Sequence, residues 1–105
     1  MFVVIDDIAM TYEQAYALDE GRATLAEISR QIHGTPIVMC PDCVATELIY
    51  MGESGTGGAY GLGDRFDISG RPHYRCPACR WYFRLADGGS LNRLWVDRVE
   101  TEPTG

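Results

Sequence analysis

The sequence predicts an α+β fold in which a short strand and two short helices precede a small antiparallel β-sheet cross-linked by cysteine side chains. Three observations predict it. Four cysteines fall in two C-P-x-C turns, Cys40-Pro41-Asp42-Cys43 and Cys76-Pro77-Ala78-Cys79. Thr11 with Gln14 and Thr24 with Glu27 each form the pattern of a capping box opening a helix. Arg80 to Leu85 alternates, with Trp81, Phe83 and Leu85 on one face and Arg80, Tyr82 and Arg84 on the other, as a half-buried strand does.

In chain order, Phe2 to Ile5 reads as a short buried strand, and Asp6-Asp7 as its solvated end. Tyr12 to Glu20 carries good helix formers up to Gly21, which reads as the C-terminal stop. The second helix follows Thr24, with Leu25, Ile28 and Ile32 in one apolar stripe, and ends at Gly34 and Pro36. The stretch from Ala23 to Ile32 resembles the first helix of many helix-turn-helix motifs. A recognition helix should then follow Gly34, but Pro36 to Cys40 is an extended lead into the first thiol turn, so the segment is read as an amphipathic helix packed on the sheet. Val44 to Met51 is the next expected strand. The glycine-rich loop 52–63 follows, without the pattern of a phosphate cradle. Around Asp87-Gly88-Gly89-Ser90 a two-residue Gly-Gly turn sets a register: Ala86 faces Leu91, Phe83 faces Leu94, Trp81 faces Val96 and Tyr82 faces Trp95. The same register puts Arg80 against Asp97 and Arg84 against Arg93. Like charges directly opposite are destabilising, so carboxylates such as Glu13, Asp19, Glu20 or Glu27, or an external anion, should compensate.

With 105 residues the chain is expected to form a single domain, 1–105. Within it lie an acidic strand-helix-helix segment at 1–35, a cross-linked sheet at 36–99 and a flexible tail at 100–105. No signal peptide or membrane span is expected, and a reducing cytoplasm is the default. That argues against a disulfide framework. Cys40, Cys43, Cys76 and Cys79 instead supply a tetrahedral four-thiolate set, for which one structural Zn²⁺ is the expected cofactor. This is the outline of a zinc ribbon; rubredoxin-like iron is the minor alternative. Val44 and Arg80 stand where many thiolate knuckles have glycine, and 32 residues separate the two pairs. His33 and His73 are read as surface or capping residues.

The formal charge of −6 opposes indiscriminate coating of nucleic acid. It is unevenly spread. Residues 1–63 carry nine acids against Arg22 and Arg30, while residues 64–105 carry six acids against seven arginines. All basic residues are arginine, which a GC-rich genome explains as readily as a need for bidentate contacts. A Tyr82/Trp95 platform flanked by Arg84 and Arg93 would suit stacked bases or a protein hot spot.

The run from Gly70 to Phe83, with Tyr74-Arg75 before the cysteine pair and an aromatic beyond it, resembles the second knuckle of zinc ribbons in insertion-sequence transposases and related regulators. The resemblance covers roughly residues 37–84. It implies a ribbon that binds DNA or a protein, with Arg75, Arg80 and Arg84 as contact residues. Ribbons of this outline also serve as scaffolds.

A four-thiolate zinc offers no open coordination position, and no nucleophile, base and orienter set is visible, so the expected protein is not an enzyme. The leading expectation is a bacterial or phage adapter or inhibitor that binds a protein partner, with the transcription machinery as one candidate. The alternative is a nucleic-acid-binding regulator that uses Arg75, Arg80, Tyr82, Arg84, Arg93 and Trp95. A third is a purely structural domain whose arginines are neutralised within the chain.

Overall fold

Chain-local signals set the N-terminal layer. In a computed structural model, which describes residues 1–53, 60–62, 65–67 and 69–96, strands β1 (Phe2–Ile5) and β2 (Ile8–Thr11) form an antiparallel hairpin. Asp6 and Asp7 are its two-residue turn, both at positive φ (52° and 69°). That is the backbone of a twist-compatible hairpin turn, which aspartate tolerates better than most residues. The expected lone buried strand is therefore one arm of a hairpin. Val3 and Ile5 turn inward, whereas Phe2 and Val4 are exposed.

Both capping boxes form. Thr11 and Gln14 exchange bonds of 2.9 and 3.1 Å at the start of α1 (Tyr12–Asp19), and Thr24 and Glu27 do the same at α2 (Leu25–His33). Gly34 ends α2 at φ 66°, the left-handed conformation that lets the chain leave a helix. The buried stripe of α2 is displaced from expectation: Ala26, Ile28 and Ser29 are buried, and Ile32 is exposed. Ser29 explains part of this, because its hydroxyl donates to the Tyr50 carbonyl at 2.6 Å and so turns that face onto the sheet.

The main sheet has the order β3-β6-β7-β8, all neighbours antiparallel: β3 (Ile49–Glu53), β6 (Pro72–Arg75), β7 (Trp81–Leu85) and β8 (Leu91–Val96). A separate two-stranded hairpin joins β4 (Tyr60–Leu62) to β5 (Arg65–Asp67). Part of the expected glycine-rich loop is thus strand: Gly52 and Glu53 belong to β3 and Tyr60 to Leu62 to β4, while residues 54–59 and 63 lie outside the described residues. The strand expected from Val44 begins only at Ile49. Val44 is 94% exposed and Ala45 has φ 52°, so the chain is still turning there.

Because alternate side chains point to opposite faces, the sheet serves two cores. On one face Leu48, Tyr74 and Phe83 are buried with Cys40 and Cys76. On the other, Ile49 is buried with Ile8, Met10, Ala26 and Ile28 from the N-terminal layer. Among the described residues, no helix is long and apolar enough to cross a membrane.

The β7–β8 register differs from expectation near the turn. Asp87, Gly88 and Gly89 form a three-residue loop, closed by the Ala86 N–H donating to the Ser90 carbonyl at 2.8 Å. Leu85 then faces Leu91, Arg84 faces Asn92 and Phe83 faces Arg93. A bulge restores Trp81 opposite Val96, as expected. Neither Ala86–Leu91 nor Phe83–Leu94 is a pair, and the repulsive Arg84–Arg93 pair does not form; Asp97 lies outside the described residues.

Replacing Asp7 with glycine removes the left-handed penalty of a side-chain-bearing residue. The Asp7→Gly protein should unfold at a higher urea concentration, by about 0.5–1 kcal/mol, if the turn forms as described. An unchanged or lower midpoint would count against this turn.

Candidate metal centre

The two cysteine pairs meet although 32 residues separate them. Strand pairing between β3 and β6 sets one knuckle beside the other: the first lies before β3 and the second directly after β6. All four Sγ atoms lie within 4.8 Å of one another. The Cys40–Cys79 and Cys43–Cys76 sulfurs are 3.9 and 3.8 Å apart. These distances exclude disulfides, whose sulfurs lie about 2.05 Å apart. They match a tetrahedral thiolate site, where bonds of about 2.3 Å to a central ion put sulfurs roughly 3.8 Å from one another.

Backbone geometry supports that set. The Asp42 N–H donates to Cys40 Sγ at 3.4 Å, and the Ala78 and Cys79 N–H groups donate to Cys76 Sγ at 3.3 and 3.4 Å. Arg80, directly after the second pair, takes φ 67°, and its N–H donates to the Cys76 carbonyl at 3.0 Å. In the first knuckle Ala45, rather than Val44, takes the left-handed conformation. Non-glycine residues carry the strain that glycine usually relieves at such turns.

The thiols differ in acidity. Burial, with hydrogen bonds from the other cysteines, pushes Cys43 up to about 12. Burial opposes ionisation of Cys76 as well, but the N–H donors of Cys79 and Ala78 outweigh it and hold that thiol below its ordinary value. A dication bound here would supply the charge that lets all four ionise together.

Arg93 and Asp42 are the unforeseen members of this region. Arg93 Nε donates to Asp42 Oδ2 at 3.1 Å, with a second guanidinium nitrogen on the same oxygen, and the guanidinium carbon is 5.7 Å from the Trp81 ring centroid. The Asp42 hydrogen bond and charge, with smaller contributions from Cys79 and Cys40, raise the Arg93 pKa. The carboxylate that neutralises Arg93 thus comes from inside the first knuckle, not from Glu13, Asp19, Glu20 or Glu27. The adjacency of Asp42 to Cys43 was the available signal, but only the observed register brings Arg93 onto that face.

The remaining candidates for partner contact are dispersed. Tyr82 and Trp95 stack with ring centroids 5.6 Å apart, but they are only 3% and 9% exposed, so they are not the surface platform expected. Arg75 is 4% exposed and lies 3.9 Å from Asp6 in the β1–β2 turn. Arg84 stands between His73 and Asn92 in register, and Arg80 is partly buried beside the second knuckle. His73 is wholly buried, with Nδ1 2.7 Å from the Arg71 carbonyl, and is neither a surface residue nor near enough to the sulfurs to join their group. His33 is exposed at the end of α2, edge-on to Tyr50.

Arg93→Ala should weaken metal retention about tenfold in competition with a chromogenic chelator, and Asp42→Asn should do the same. Retention equal to that of the parent in both would make the pair incidental. Ala45→Gly should raise the stability of the metal-loaded protein by about 0.5–1 kcal/mol, measured as a shift in denaturant midpoint, because it relieves the left-handed strain.

No protein-family model matches the chain, and no curated protein or solved structure is significantly similar to it.

Proposed function

We propose that the chain is a non-catalytic zinc-ribbon adapter or inhibitor, in which one structural Zn²⁺ held by Cys40, Cys43, Cys76 and Cys79 fixes the sheet and a protein is the partner. The observation that carries the zinc reading is the sulfur spacing of 3.8 and 3.9 Å, which suits a closed tetrahedral site with no position for substrate. Four thiolate ligands favour zinc or iron over hard cations.

Burial and charge support a protein partner over nucleic acid. The aromatic pair Tyr82 and Trp95 is buried, and Arg93 is committed to Asp42, so much of the surface that the nucleic-acid reading needs is occupied internally. Arg71, bonded to Asp87 at 2.8 Å, is likewise paired within the chain. The net charge of −6 adds a repulsive background toward phosphates. These same ion pairs are what a purely structural domain would have, and the two readings part on whether a partner binds.

Elemental analysis of protein purified without added metal should give one zinc per chain, and a strong chelator should unfold it, since metal binding free energy is folding free energy in small domains. Iron in place of zinc, or full folding after metal removal, would overturn the zinc assignment. Titration of labelled DNA and RNA at two salt concentrations should show no micromolar binding. Tight binding that falls steeply with salt would favour the regulator instead.

A further inference from the structure

The lead into the first knuckle leaves a short strand edge open. The Cys40 N–H donates to the Thr46 carbonyl and the Leu48 N–H to the Val38 carbonyl, both at 2.8 Å, with Met39 opposite Glu47. The Cys40 N–H and the Val38 carbonyl are therefore spent inward. By the alternation of an antiparallel ladder, Ile37 and Met39 direct theirs outward. Among the described residues, no backbone group accepts from or donates to those outward groups. Pro36 and Pro41 bound the edge, and proline cannot donate to a ladder, so it accepts one short strand and does not propagate.

Beside this edge lies a groove of about 620 Å³ between α2 and the knuckles, lined by Leu25, Ala26, Ile37, Met39 and Pro77 among others. Ile37 and Met39 are 59% and 45% exposed, so two apolar side chains face solvent where the edge meets the groove. The groove wall carries Glu27, Arg30 and Glu47, and Arg30 is already held by Glu47 at 2.8 Å. The surplus charge is negative. It matches the wider bias of residues 1–63, which carry nine acids against two arginines.

We propose that this edge and groove bind an extended segment of a partner protein, added antiparallel or parallel along Ile37–Met39, with apolar residues entering the groove and basic residues flanking them. Backbone pairing supplies the affinity and the groove selects alternate side chains, as in other strand-addition complexes. A second copy of the chain is disfavoured as occupant, because symmetric pairing would bring together two groove walls that each carry the surplus negative charge of Glu27. The inference rests on the adapter reading and gives it a location.

The test uses the zinc-loaded full chain and a fluorescein-labelled octapeptide of alternating valine and threonine flanked by lysines. Fluorescence polarisation should show saturable binding, weakened at least tenfold by Met39→Lys and by N-methylation of alternate peptide amides, and weakened by replacing the flanking lysines with glutamates. In amide NMR spectra the Ile37 and Met39 signals should move on addition of the peptide. Unchanged zinc content and circular dichroism of Met39→Lys would show that it still folds. No binding, or equal binding of the methylated and plain peptides, would overturn the proposal. Self-association by sedimentation that Met39→Lys abolishes would overturn it in favour of a second copy. A protein partner whose capture survives Met39→Lys would preserve the adapter reading while removing this site.

Discussion

The convergence of four sulfur atoms is the constraint on which the rest of this molecule depends. The cysteine pairs lie 32 residues apart in the chain, and their closure to within 4.8 Å fixes how β3 can meet β6 and where β7 must begin. With both knuckles in place, the strand alternation has no freedom left. Tyr74 and Phe83 go to the sulfur side, Ile49 goes to the helix side, and Arg75 is carried to the buried position beside Asp6. In a domain of this size neither core alone buries much apolar surface. A metal ion bound by the four sulfurs would align both at once and so stabilise more than the turn it closes.

Much of this was legible in the residues, where the governing physics is local. Thr11 with Gln14 and Thr24 with Glu27 announce helix starts because the bonds they make span three residues, and both form. The cysteine turns are legible for the same reason. The β1–β2 hairpin was missed because its turn uses Asp6 and Asp7 without a glycine, so the usual mark of positive φ is absent. The hairpin register was missed because two consecutive glycines suggest a two-residue turn, whereas Asp87 joins the loop and the bulge in β8 takes up the difference farther along.

The burial of Tyr82 and Trp95 is a different kind of failure. Alternation assigns Tyr82 to the face opposite Phe83, and that assignment holds. What alternation lacks is any statement about whether the second face is wet. A single amphipathic strand looks the same whether its polar-looking side meets water or a second layer carrying its own charges. Arginine and tyrosine at 4% and 3% exposure belong to the latter case. Their long apolar stems allow them to be packed while their polar ends find partners.

Strand β3 has a consequence for cooperativity. It contributes Tyr50, with Leu48 just before it, to the core around the sulfurs and Ile49 to the core beneath α2, while the Tyr50 carbonyl accepts from Ser29 of that helix. The two cores are therefore not separate folding units. Loosening the knuckles shifts β3, and a shift of β3 reaches Ser29 and Ile28 through one hydrogen bond and one packed side chain. A metal ion held by the four sulfurs would therefore be thermodynamically linked to the order of α2, and the helix side of the molecule would report on the state of the sulfur side without touching it.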